Sequence, residues 1–141
     1  MRLCGQQAVW NYEEENGILT IQGVGAMEDY TEPEQVPWNS LMQEIKVVVI
    51  RDGITTVGDY AFAGCSNLQE VTLPGSVEIV GVFSFKGCTG LREIVIPEGV
   101  RVLASKAFQF CSALKKVYLP STLIDVDMRA VSYTHLTLPT N

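Results

Sequence analysis

A motif that recurs every 23 residues constrains the fold of this chain more than any other feature. Phenylalanine returns at this step at Phe62, Phe85 and Phe108. Cysteine, leucine and other apolar positions keep the same step: Cys65, Cys88 and Cys111; Leu68, Leu91 and Leu114; Ile54, Val77, Val100 and Leu123; and the proline-ended runs 71–74, 94–97 and 117–120. Ile45, Val48 and Ile50 belong to an incomplete unit before them. This period predicts a solenoid, because one such unit can bury its apolar face only by stacking on its neighbours.

Each unit is expected to contain two extended segments and one compact turn. In 68–73 the spacing Leu-x-x-Val-x-Leu predicts a strand with alternating faces, and Pro74 ends it because proline cannot donate to a ladder. A second extended segment is predicted over 77–80. The Ala-Phe-x-x-Cys stretch at 61–65 is predicted to form a helical or 3₁₀ turn whose phenylalanine fills the space between the two extended segments.

The complete unit resembles the BspA-like class of leucine-rich repeats. From Ile54 to Pro74 it reads Ile-x-x-Val-Gly-x-x-Ala-Phe-x-x-Cys-x-x-Leu-x-x-Val-x-Leu-Pro. The resemblance covers about 45–131 and departs from the pattern at 82–84 and at Ala104, where earlier units have glycine. It implies an α/β fold: a leucine-rich-repeat solenoid, a right-handed β/α superhelix that is rich in strands and has only short helical turns.

The resemblance also implies a function. Members of this class are mostly bacterial surface or secreted proteins that mediate adhesion or protein–protein contact, and catalysis by the repeat is not their known role. We therefore expect a non-enzymatic interaction module of a larger protein, located outside the cell or on its surface. The expected partner is a protein of the host or cell surface, with a glycan as the alternative.

Residues 1–44 do not repeat and are predicted to cap the solenoid. Two alternating segments, 9–12 and 18–21, flank a polar stretch, which predicts a β-hairpin with positive φ angles at Asn16 and Gly17. The Gly-Val-Gly sequence at 23–25 is interpreted as a turn. Pro37 is predicted to open a helical turn through 39–44 that takes the place of the Ala-Phe-x-x-Cys stretch.

The order of glycine and aromatic residues in 1–44 also resembles the segment that precedes such repeats in bacterial surface proteins. Trp10 and Trp38 are interpreted as core residues of this cap, and a sugar-stacking platform is the alternative.

The other end of the chain departs from the repeat. Leu123, Val126 and Ala130 keep its register, but the next Leu-Pro comes four residues early and the phenylalanine and cysteine columns are lost. Residues 132–141 resemble a stretch found at the ends of unrelated environmental reading frames. We therefore predict three regions: a cap over 1–44, repeats over 45–131 and an irregular, non-native tail over 132–141.

The net charge of −6 is concentrated near the N-terminus. Residues 1–50 contain two basic and eight acidic residues, whereas 51–141 contain eight of each. This distribution disfavours nucleic acid, which requires a basic stripe. An acidic end that keeps the protein in solution is the simplest interpretation, and attraction of a basic partner or a cation is the alternative. No apolar run reaches the ~20 residues of a membrane helix, so membrane insertion is not expected in this segment.

The sequence offers little for catalysis, metals or cofactors. The single histidine, His135, stands in the tail, without a nucleophile–base–acid set around it. The repeat cysteines are 23 residues apart and lack zinc-site spacing, so buried free thiols are predicted. The acidic residues at 28, 29, 32 and 34 lack the calcium-loop pattern. We expect no enzyme activity, no cofactor and no metal.

The most promising functional surface is the outward face of the first strand of each unit. The predicted binding residues are Lys46, Gln69, Glu70, Thr72, Arg92, Glu93, Val95, Lys115, Lys116 and Tyr118. Extended faces of this kind commonly bind partners in repeat proteins, and arginine and tyrosine are frequent anchors. Two alternatives remain: a structural spacer without a ligand, and a glycan-binding accessory module, which would need an exposed aromatic platform.

Overall fold

The computed structural model describes residues 2–126 of the chain. The predictions for Ala130, for His135 and for the tail 132–141 lie outside this range. Apart from two 3₁₀ turns, Pro33–Gln35 and Asn39–Leu41, the described residues contain only strands, turns and irregular segments. The predicted strand-rich solenoid with short helical turns is confirmed.

The described chain begins with the predicted hairpin. Strand β1 (Gln7–Glu13) pairs antiparallel with β2 (Ile18–Ala26), with Glu13 opposite Ile18. The loop between them differs from the prediction, because only Gly17 has a positive φ, of 68°. The Asn16 backbone N–H and side-chain amide instead donate to the Glu13 carboxylate, which holds a wider loop closed.

Each repeat contributes two strands, as predicted, and the strands of successive coils lie parallel. The first strands are β3 (Val47–Ile50), β5 (Glu70–Thr72), β7 (Glu93–Val95) and β9 (Lys116–Tyr118); the second are β4 (Ile54–Val57), β6 (Ile79–Val80), β8 (Val102–Leu103) and β10 (Asp125–Val126). The second strands form one continuous ladder, β4-β6-β8-β10. The first strands form two ladders, β3-β5 and β7-β9, so a seam without strand pairing separates β5 from β7.

The hairpin joins both sets of strands. Ile18 to Ile21 of β2 pair with β3, whereas Gly25 and Ala26 pair with β4, and the register shifts between these two residues. The prediction that 23–25 form a turn is therefore wrong, because the glycines lie inside β2. Gly23 allows a close backbone approach: it has a φ of 120°, and a Cβ there would lie 2.1 Å from the Gln7 carbonyl oxygen. Gly25 has open space around it and is required by its positive φ of 90°.

The third side of each coil is a run of tight turns. In the 61–65 stretch, N–H groups bond to carbonyls three residues earlier, as from Ala63 to Tyr60, but the positive φ of 61° at Tyr60 prevents a helix. The remaining N–H groups reach the next coil, as from Phe62 to the Ser84 carbonyl (2.7 Å). The predicted helical turn is therefore a non-helical turn, and some of its N–H groups donate to carbonyls of the next coil.

The core is a set of stacked columns. Phe62, Phe85 and Phe108 are fully buried, with successive ring centroids 5.4 and 5.5 Å apart. Trp38 extends this column at its N-terminal end, 5.5 Å from Phe62, and is held by a hydrogen bond from its indole Nε1 to the Ala61 carbonyl (2.9 Å). The 3₁₀ turn after Trp38 is shorter than the predicted 39–44 turn, and it is Pro33 that opens a 3₁₀ turn.

Candidate functional site

The predicted binding residues all lie on the outward side of the first-strand ladders, here called the ladder face. Nine of the ten are exposed, and Tyr118 is half-buried. This arrangement follows from strand alternation, because the intervening Leu68, Ile94 and Val117 point into the core and are almost fully buried.

The ladder face is most coherent in the last two described coils. Pairing of β7 with β9 places Glu93 opposite Lys116 and Val95 opposite Tyr118. At the start of these strands, the Lys115 N–H donates to the Arg92 carbonyl (2.9 Å). Arg92 and Lys115 therefore lie side by side on adjacent strands, with both side chains exposed.

Two hollows meet at this basic end. One, of about 530 Å³, lies at the start of β7 beside the seam and is lined by Asn67, Gln69, Thr89 and Arg92 among others. The other, of about 560 Å³, is lined by Arg92, Ser112, Ala113 and Lys115. Arg92 lines both hollows, and the five fixed donors of a guanidinium suit a carboxylate.

The opposite end of the same strands is mainly apolar. A hollow of about 380 Å³ is lined by Val95, Pro97, Tyr118 and Pro120, and also by Glu93 and Glu98. The Glu98 carboxylate accepts hydrogen bonds from the Ser121 backbone N–H and hydroxyl. Val95 is 56% exposed. The ladder face thus has a basic end and an apolar end about 10 Å apart, since each residue of a strand advances ~3.3 Å.

The aromatic residues considered as a sugar platform do not form one. Trp38 is fully buried, as expected of a core residue. Trp10 is half-buried, with its ring edge-on to Trp38 (5.7 Å between centroids) and the Arg2 guanidinium 4.8 Å from its centroid. Tyr118 is also half-buried. Because Trp38 is fully buried, a sugar could not stack on it.

The cysteines occupy a buried column. The thiols of Cys88 and Cys111 donate to the carbonyls of Phe62 and Phe85, at 3.3 and 3.0 Å. Burial raises the pKa of the Cys65 thiol to about 12. Burial, followed by the hydrogen bond with Cys111, raises the pKa of Cys88 well above its usual range. Protonated, desolvated thiols are poor nucleophiles and poor metal ligands, so Cys65 and Cys88 serve packing.

The N-terminal acidic residues are partly committed to the fold. Glu28, Asp29, Glu32 and Glu34 are all exposed, and an Asp29 carboxylate oxygen accepts the Asp59 N–H (2.9 Å). Within residues 2–126, no three histidine, cysteine or acidic side chains are grouped as metal ligands would be. Over the same range, no helix is long and apolar enough to cross a membrane.

Sequence reasoning missed a second surface feature, on the turn side of the coils. Phe110 is 58% exposed and has a positive φ of 63°, at the position where earlier coils have Gly64 and Gly87. The Lys86 ammonium lies 5.8 Å from the centroid of its ring. The sequence signal for this exposed aromatic residue is the replacement of glycine by Phe110 in a column that repeats every 23 residues.

Comparisons with known proteins agree with this architecture. Residues 40–140 match the BspA type leucine rich repeat region, in six copies. Two solved structures are similar: a leucine-rich repeat protein from Eubacterium ventriosum (21% identity, TM-score 0.70) and a leucine rich cell surface protein from Faecalibacterium prausnitzii (20% identity, TM-score 0.69). The alignments cover 98% and 97% of this chain but only 43% and 38% of those proteins, so the chain spans about two fifths of their length. No curated protein matches the sequence.

Proposed function

We propose, from the premise that this chain belongs to the BspA type leucine-rich repeat family, that it binds a protein partner through its ladder face. The observation that carries the proposal is the pairing of two exposed cations, Arg92 and Lys115, with an exposed apolar surface at Val95 on the same two strands. A module of this kind would mediate adhesion or protein–protein contact.

The chemistry of the two ends specifies the partner. The guanidinium of Arg92 and the ammonium of Lys115 would bind carboxylates of the partner. The hollow beside Val95 and Tyr118 would accept an apolar side chain about 10 Å away, the length of three strand residues. The preferred partner is therefore a segment with acidic residues at one end and an apolar anchor at the other.

The remaining predicted residues have supporting roles in this proposal. Glu93 and Lys116 stand opposite each other between the two ends and would fix the register of the partner. Lys46, Gln69, Glu70 and Thr72 extend the face across the seam, in the way that repeat proteins build long binding surfaces.

The proposal places this module outside the cell or on its surface, as a non-catalytic part of a larger bacterial protein. Leucine-rich repeat families are generally non-enzymatic. One similar structure is a cell surface protein by its own description, and the chain spans only part of it.

The test uses peptides displayed from a random library, selected on the immobilised chain. Selected peptides should combine acidic residues with an apolar anchor, and the double variant Arg92→Glu/Lys115→Glu should lower their affinity about tenfold or more. The matched control is Arg51→Glu/Arg101→Glu, which makes the same change in net charge at exposed positions outside the first-strand ladders.

The control pair separates this proposal from its alternatives. Equal losses for both pairs would mean that only net charge matters, which contradicts a site on the ladder face. Failure to select any peptide, or peptides insensitive to both pairs, would contradict the proposal and favour a spacer without a ligand.

A further inference from the structure

An aromatic and cationic patch lies on the turn side of the coils, away from the ladder face. It consists of Tyr60, Phe83, Lys86, Lys106 and Phe110, which come from three successive coils. The rings of Tyr60 and Phe83 are 5.0 Å apart between centroids. The Lys86 ammonium lies 5.0 Å from the Phe83 centroid and 5.8 Å from that of Phe110, so it sits between the two rings.

Phe110 is not explained by packing. Its φ of 63° belongs to the left-handed region, which costs free energy for a side chain with a Cβ, and the glycines of the two earlier coils avoid that cost. Its ring is 58% exposed, so burial offsets little of the strain. The same left-handed conformation recurs at Tyr60, Phe83 and Lys106, so it is the exposure of the Phe110 ring, and not its backbone, that points to a role in binding.

The two lysines give the patch a charge opposite to that of the chain. The Lys106 ammonium lies 5.8 Å from the Phe83 centroid, so both ammonium groups gather around one ring. None of the five patch residues is acidic. Asp59, next to Tyr60 in sequence, accepts a hydrogen bond from the Val82 N–H through its carboxylate (2.8 Å). Two neighbouring cations within an acidic protein form a site for an anionic group.

We propose that this turn-side patch binds an anionic sugar. The exposed ring of Phe110 would pack against the apolar face of a pyranose, and the ammonium groups of Lys86 and Lys106 would hold its carboxylate or sulfate. The patch combines an exposed aromatic ring with two cations over the ~10 Å that three coils span at strand spacing, which suits a small ligand that has an apolar face and an anionic group.

This site differs from the platform considered at Trp10, Trp38 and Tyr118. Those residues are buried or half-buried, whereas Phe110 presents its ring to solvent. The ladder face carries its own basic pair, so the two surfaces can be tested independently in one chain.

The experiment titrates the full chain calorimetrically with two probes, a sulfated heparin-derived tetrasaccharide and a carboxylated tetragalacturonate. At least one should bind, and neutral maltotetraose should not. Phe110→Gly should weaken binding about tenfold through loss of the ring contact, and Lys86→Gln/Lys106→Gln should weaken it further and flatten its dependence on salt. The matched control, Arg51→Gln/Arg101→Gln, removes two exposed cations that lie outside both this patch and the ladder face, and it should leave binding within about twofold.

Phe110→Gly is expected to fold, because glycine stands at this position in the other coils, and Phe110→Asn is a second variant that tolerates a positive φ. The proposal is overturned if neither sugar binds, or if the lysine pair and the arginine control pair weaken binding equally. It is also overturned if polyglutamate binds as tightly as the sugars and Phe110→Gly has no effect, since an acidic peptide or any polyanion would then be the ligand.

Discussion

The inward and outward columns of this stack behave differently from coil to coil. Phenylalanine fills the same buried position in three coils, at Phe62, Phe85 and Phe108. At an outward position of the ladder face the residue changes from Gln69 to Arg92 in the next coil. Stacking explains the contrast, because every inward side chain must fit its copies above and below, while an outward side chain meets only solvent or a partner. The inward columns therefore identify the fold, and the outward ones carry whatever is specific to this chain.

The largest effect should come from breaking the inward column at its middle. We expect Phe85→Ala to lower the free energy of unfolding by about 3–5 kcal/mol, because the ring is fully buried between two others. Urea unfolding followed by circular dichroism measures it. The outward control is Val95→Ala, which should change stability by less than ~1 kcal/mol. Similar losses for the two variants would contradict the distinction between inward and outward columns.

The next effect tests whether the cap shares the aromatic column of the repeats. Trp38→Phe keeps an aromatic ring on Phe62 but removes the donor to the Ala61 carbonyl, which should cost about 1–3 kcal/mol. Trp10→Phe, at a half-buried position, should cost less than ~1 kcal/mol. Thermal and urea unfolding of both variants checks this order, and the reverse order would mean that Trp38 is not part of the column.

A pH effect follows from the buried thiols. Burial raises the pKa of Cys4 and Cys65 from 9.0 to about 12, so between these values the unfolded chain loses protons that the folded chain retains. Stability should therefore be intact below pH 9 and fall as pH rises from 9 to 12, because the unfolded chain releases protons that the folded chain keeps. Urea midpoints measured across this range check the slope, which should be shallower for Cys65→Ala. A flat profile would mean that the thiols are not buried.

The smallest effect is expected on the ladder face. Arg92→Glu/Lys115→Glu should change the free energy of unfolding by no more than ~0.5 kcal/mol per residue, because both side chains are exposed. The same urea assay applies. A loss comparable to that of Phe85→Ala would show that the face is part of the folding scaffold and is not free for a partner.

The 23-residue period was enough to predict the solenoid, the two strands of each coil and the buried phenylalanine, cysteine and leucine columns. Positions that depend on backbone conformation were harder. Gly23 and Gly25 suggested a turn, but they allow β2 to continue through a register shift against β4. The sequence could not reveal this shift, because it depends on how the hairpin meets the first coil.

The backbone conformation of the turn side was also not predictable from the sequence. The 61–65 stretch has helix-like spacing, but the positive φ at Tyr60 diverts alternate N–H groups to the next coil. The exposed ring of Phe110 could not be predicted from the repeat, because Phe110 stands where the column of Gly64 and Gly87 breaks. On the ladder face the sequence predicted which residues point outward, but outward columns do not name the partner.

Thiol labelling of the native protein tests the stacked core most directly. If the inward columns hold the stack together, their cysteines must be inaccessible to solvent. Cys4, Cys65, Cys88 and Cys111 are all buried as free thiols. Brief treatment with iodoacetamide at pH 8, followed by mass spectrometry, should give no adducts in buffer and adducts at all four cysteines in concentrated urea. Rapid labelling of Cys65, Cys88 or Cys111 in the folded protein would contradict the stacked core.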